Sequence, residues 1–151
     1  NSINSENKRK RPKGKIKGEK EKRKMQLFKS YHDMNLEIEI LEDELKNTER
    51  EIEQWWVGGR LFPTVRIDQA AERVQKLKDK QIVLSEELKH KLISKDKFEE
   101  RLKNMEGIAY KVFYGRYVEG KLLTEIADDL GYSYQYIKNV SQHLKLKELA
   151  K

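Results

Sequence analysis

The sequence has no cysteine, only two prolines (Pro12 and Pro63), and no long apolar run. The missing cysteines exclude disulfides and thiolate chemistry. With so few prolines, long helices can form without interruption. No segment approaches the ~18 consecutive apolar residues of a membrane span, and no signal-peptide pattern is present. Walker-type and GxGxxG loops are absent, and His32, His90 and His143 are far apart with no spaced carboxylates around them. These absences predict a non-enzyme without cofactor, metal or small-molecule substrate, placed in the cytoplasm. The two histidines His32 and His90 read as surface residues.

What is present is charge. Charged residues make up 39% of the 151 and apolar residues 36%, a balance that suits solvent-washed helices better than a thick core. The net charge of +7 is unevenly placed: residues 1–24 carry 11 Lys and Arg against 3 acids. The remaining chain is close to neutral. A basic tail on a neutral body commonly seeks phosphate. Residues 1–20 have almost no apolar content, and Pro12, Gly14 and Gly18 oppose helix, so a disordered tail is expected over 1–24.

From Met25 an apolar seam begins. Leu27, Tyr31, Met34, Ile38, Leu41, Leu45, Thr48, Ile52 and Trp55 recur at alternating steps of four and three, which predicts a helix of roughly 30 residues. Acids outnumber bases nine to four over 25–60, so this helix will not lie along DNA by itself. Gly58-Gly59 and Pro63 break it at 56–65. A second seam runs through Ile67, Ala70, Val74, Leu77, Gln81, Leu84 and Leu88, then weakens where Lys91 and Lys95 take seam positions. Ser94 is a candidate cap for a fresh helix at Asp96, whose stripe would be Phe98, Leu102, Met105, Ala109 and Val112. The seams fit either an antiparallel hairpin within one chain or a pairing between chains, the dimer being favoured because two helices alone bury little. Trp55, Trp56 and Phe62 read as a cap over the end of the seam, with a docking patch as the alternative.

The last third carries the densest pattern. Ala127 is followed four residues later by Gly131, then by Ser133 as a candidate cap, with Ile137 and Val140 ten and thirteen residues after Ala127 and Leu144 one turn on. A helix-turn-helix needs a small residue at the crossing, a left-handed glycine in the turn, a cap and an apolar inner face on the second helix. Every slot is filled. Helical geometry then turns Tyr134, Gln135, Lys138, Asn139 and Gln142 to the face opposite Ile137, Val140 and Leu144. Asn and Gln pair bidentately with adenine and Lys reaches guanine, which points to an A/T-leaning half-site with one guanine. Thr124, Ser133, Tyr136, His143, Lys145 and Lys147 are the candidate backbone contacts. Asp128 and Asp129 are adjacent on a helix and diverge too far to share a metal.

The run "VFYGRYVEGKLLTEIADDLGYSYQYIKNV" resembles region 4 of bacterial sigma factors, close to V-x-x-L-R-Y-x-E-G-x-S-x-x-E-I-A-x-x-L-G-x-S. Val112, Arg116, Tyr117, Glu119, Gly120, Glu125, Ile126, Ala127, Leu130, Gly131 and Ser133 carry the match over about 40 residues. Gly115 stands where the pattern has leucine, and Leu122 replaces the usual capping residue, leaving Thr124 as a candidate cap. Upstream helices with a Trp/Pro interruption, followed by this module, resemble phage late-gene transcription regulators of the RinA/ArpU type. The resemblance implies promoter or operator binding beside RNA polymerase in a bacterial host, and that Tyr134, Gln135, Lys138 and Asn139 enter the major groove.

The expectation is an all-α chain in three parts: a basic tail (1–24), long helices forming a coiled coil or hairpin (25–95), and a tri-helical DNA-binding module (96–151). The module alone carries little net charge, so Lys8, Arg9, Lys10, Arg11, Lys13 and Lys15 of the tail are candidate phosphate contacts. "KRKRPKGK" faintly resembles an AT-hook. About six such contacts would give log K against log salt a slope near −5. The functional expectation is a dimeric, sequence-specific transcription regulator. The alternatives are a small-terminase-like packaging protein, or a coiled-coil polymerase adaptor that never reads bases.

Overall fold

A computed structural model describes residues 13–56 and 58–144, with side chains from residue 18 onward. The chain is all-helical. Five α-helices occur among the described residues: α1 (Lys13–Trp55), α2 (Ile67–Lys103), α3 (Ile108–Phe113), α4 (Leu123–Leu130) and α5 (Tyr134–Leu144). They divide into two compact units. One spans Tyr31–Met105, and the other joins Asn1–Ser30 to Glu106–Lys151. This division departs from the expected boundaries at 24 and 95, because the first turns of α1 pack with the C-terminal helices.

The unit of residues 31–105 is a hairpin of α1 and α2 within one chain. Tyr31 Oη donates to Glu99 Oε1 at 2.8 Å, Glu37 pairs with Lys91, and Ile52 and Trp55 share a core cluster with Ala70 and Val74. As the number rises on α1 it falls on α2, so the pair is antiparallel. The first seam is inward as expected: Tyr31, Ile38, Thr48, Ile52 and Trp55 are buried and Leu27, Met34, Leu41 and Leu45 half-buried. Thr48 satisfies its buried hydroxyl by donating to the Glu44 carbonyl at 2.8 Å, a bond available to any helical Thr.

The second seam differs in three places. Ile67 is 74% exposed: α1 has already ended at Trp55, and Leu61, Phe62 and Val65 of the connection fill the place it would take. No fresh helix starts at Asp96, since α2 runs unbroken to Lys103. Lys91 and Lys95 are tolerated in the seam because their long stems cover apolar surface while the ammonium groups reach Glu37 and Glu99. The break falls instead at 104–107, where Gly107 adopts φ +117° and Met105 turns 37% exposed. Phe98 and Leu102 therefore belong to α2, and Ala109 and Val112 to α3.

At the hairpin tip, Leu61 N–H donates to Gln54 O and Gly59 N–H to Trp56 O, both at 2.8 Å. Gly59 is held so close to the end of α1 that a Cβ would lie 2.5 Å from Gln54 O and nearer still to Glu53 O. Trp55 is buried beneath the Arg73 guanidinium, 5.0 Å from the ring centre, and so packs over the seam as expected. Trp56 remains half exposed with the Lys78 ammonium over it. His32 is half-buried rather than superficial; burial pushes its imidazole below the ordinary value against an upward pull from Asp33.

In the other unit, α1 already runs from Lys13, where a disordered tail was expected. Gly14 and Gly18 each cost about 1 kcal/mol in a helix. Extension from a formed helix escapes the nucleation penalty, and lysines propagate it well. Phe28 is the centre of this unit: it is fully buried, stacks on Phe113 at 4.1 Å between ring centres, and meets Tyr110 edge-on at 5.5 Å. Val112, Phe113, Ile126, Ala127, Ile137 and Leu144 complete the core. After α3 the backbone widens into a π turn over Tyr114–Val118, with Glu119 N–H reaching Tyr114 O at 3.0 Å. That turn buries Gly115 against Ile126, whose Cγ1 would lie 3.0 Å from a Cβ at that position. The glycine standing where the sigma pattern has leucine is thus a close helix-to-helix approach.

Candidate nucleic-acid interface

α4 and α5 are joined by a tight turn built by local chemistry. Gly131 ends α4 in the left-handed region at φ +73°. Its N–H turns to Asp128 O, and Tyr132 N–H donates to Ala127 O at 3.0 Å. This double closure satisfies the last carbonyls of a helix and favours glycine. Ser133 Oγ then accepts from Tyr136 N–H at 3.2 Å, a cap worth about 1 kcal/mol. Ser133 is therefore the cap that the spacing predicts. Thr124 is not one: α4 starts after Leu122 with no side-chain cap, and Thr124 is exposed within the first turn.

α5 turns one face inward and one outward. Ile137 (fully buried), Ser141 and Leu144 form the inner face. Val140, expected there, is only half-buried. Ser141 takes the central place because Arg116 Nη1 donates to its hydroxyl at 3.2 Å, which ties α5 to the π turn. At roughly 100° per residue, Gln135, Asn139 and Gln142 lie within roughly 40° of the direction opposite Ile137. All three are exposed. Gln135 Nε2 donates to Asn139 Oδ1 at 3.1 Å, so the two amides are aligned one turn apart, each keeping further groups for a ligand.

The other expected readers sit on the flanks. Lys138 is half-buried, and Tyr134 is 47% exposed at the start of the helix. Tyr134 and Thr124 come together, with Arg116 and Lys121, around a concavity of about 460 Å³. Lys121 is committed: its ammonium bridges Asp129 at 2.8 Å and Glu119 at 2.9 Å, and those bonds, Asp129 first, push its pKa upward. Asp129 thus closes an ion pair on the supporting helix. On the opposite flank Tyr136 lies 5.0 Å from the Tyr132 ring, and His143 Nδ1 is 2.8 Å from Asn139 O, which makes it the donor there.

One neighbour was not anticipated from the sequence pattern. Tyr136, Asn139 and His143 share a groove of about 380 Å³ with Glu21, Lys24 and Met25 of α1. Lys24 reaches over the Tyr110 ring at 5.6 Å and pairs with Glu21 at 3.6 Å. The signal available in the sequence was the step from Phe28 back to Met25, Lys24 and Glu21, one helical face extending past the expected start of the seam.

Lys8, Arg9, Lys10, Arg11, Lys145 and Lys147 lie outside the described residues, as do the side chains of Lys13 and Lys15. Among the described residues no group of three or more His, Asp or Glu could hold a metal ion. Among them, too, no helix is long and apolar enough to cross a membrane. No protein-family model matches the chain, and neither does any curated protein or solved structure.

Proposed function

We propose that this chain is a sequence-specific regulator of transcription that binds duplex DNA, with α5 as the helix entering the major groove. The observation carrying this reading is the outward face of α5: two hydrogen-bonded amides, Gln135 and Asn139, with Gln142 beside them, mounted on a helix whose start is capped by Ser133. Amide side chains on a rigid helix are suited to adenine edges, and Lys138 on the flank to guanine. The concavity with Arg116, Thr124 and Tyr134 lies at the start of α4 and fits a phosphate beside the groove. The resemblance to sigma region 4 and to RinA/ArpU-type regulators extends the proposal to late-gene activation beside RNA polymerase in a phage-infected bacterium. Selection of bound sequences from a random duplex pool tests it. An A/T-rich consensus containing a guanine is expected; a G/C-rich consensus or no enrichment would overturn base reading by these residues.

A homodimer is part of the proposal. The hairpin leaves Leu36, Ile40, Ile82 and Val83 more than half or about half exposed, and Leu41, Leu45, Leu77 and Leu88 only half covered. Apolar surface of this kind on helices is covered by further helices. Light scattering is expected to give twice the 18.0 kDa chain mass. A monomer would refute the dimer, and a ring-sized assembly would shift the reading toward a packaging protein.

A further inference from the structure

We infer that the basic first turns of α1 form a second DNA-contacting element: a helical strut beside α5 that binds the phosphate strand bordering the groove α5 enters. The inference rests on the DNA-reading proposal and supplies what that proposal lacks. Over Tyr134–Leu144 the only lysine is Lys138, and no arginine occurs. The neighbouring α4 carries Glu125, Asp128 and Asp129 and no base. Such a surface attracts a polyanion poorly. Residues 13–24 carry seven Lys and Arg against Glu19 and Glu21, and they are helical and belong to the same compact unit as α5.

The placement is specific. The inner face of this segment, Glu21, Lys24 and Met25, lines one groove with Tyr136, Asn139 and His143. Asn139 thus belongs both to the outward amide face and to the wall shared with α1. Glu21 borders that wall and pairs with Lys24, but its side chain stays 59% exposed and offsets part of the positive charge. Lys20, Lys22 and Arg23 are exposed. From Arg23 back to Lys13 the helix runs ~15 Å at 1.5 Å per residue, long enough to lie along more than one phosphate of the strand. A charge array held on a helix in the reading unit positions α5 as well as attracting DNA, which a detached tail would not do.

The test uses the full chain with Lys20→Gln, Lys22→Gln and Arg23→Gln together, and compares binding to its selected duplex over a salt series. Lys20 and Lys22 diverge by roughly 160° around the helix, so the loss of one or two phosphate contacts should make the slope of log K against log salt shallower by about 1–2. The selected sequence should be unchanged, because phosphate contacts carry no base information. The exchange Lys20→Arg, Lys22→Arg and Arg23→Lys should keep the slope, and equal far-UV circular dichroism guards against loss of helix. An unchanged slope in the Gln variant, or a changed consensus, overturns the strut while leaving the reading by α5 standing. Failure of the unaltered chain to bind duplex DNA overturns both.

Discussion

Phe28→Ala is expected to cost about 3–5 kcal/mol, the range for removing a fully buried aromatic ring. The ring has no exposed surface, stacks on Phe113 and meets Tyr110 edge-on. Deleting it opens a cavity between α1 and α3 (Ile108–Phe113). Against a total stability of about 5–15 kcal/mol for a domain, that loss should shift the urea midpoint of the unit containing α3–α5 sharply. Phe28→Leu should retain most of the stability, since it keeps apolar volume at the site. A midpoint for Phe28→Ala indistinguishable from that of the unaltered chain would mean that α1 does not pack with the C-terminal helices.

The second large effect is on recognition. Gln135→Ala with Asn139→Ala should remove the two bidentate adenine contacts proposed for α5, each worth about 1–3 kcal/mol of discrimination. The two amides are bonded to each other, so the double loss should fall short of the sum of the single losses. Both side chains are exposed, so folding stability should change by no more than about 0.5 kcal/mol. The measurement is the ratio of affinities for the selected site and a scrambled duplex. That ratio should collapse toward one while non-specific binding persists. An unaltered ratio would remove α5 from the role of reader.

These two experiments probe regions that were unequally legible in the sequence. The first seam was readable from Tyr31 to Trp55 because a strict four-three spacing admits one helical solution and one inward face. Ser133 and Gly131 were readable because capping is local chemistry, settled within four or five residues of backbone. The amide face of α5 followed from the same periodicity. Less legible was any position whose fate depends on a distant partner. Lys91 looked like the end of a seam, yet Glu37, across the hairpin on α1, pairs with it as α2 continues. Ile67 fits the spacing but has no α1 left to face. Val140 yields the inner centre of α5 to Ser141, whose hydroxyl accepts a partly buried hydrogen bond from Arg116 of the π turn.

The sequence by itself determined that the chain is helical, where its long helices bury their stripes, and how the turn between α4 and α5 is closed. Those properties follow from period, propensity and caps, all of which act within a few turns. Only the tertiary structure decided that the two seams meet as a hairpin in one chain, that the break falls at Gly107, and that the basic start of α1 belongs with α5. Each of these depends on which apolar surfaces find each other across tens of residues. Phe28 shows why: its period places it only on a helix face, and Phe113, far along the chain, is what brings that face and Lys24 into one unit with α5.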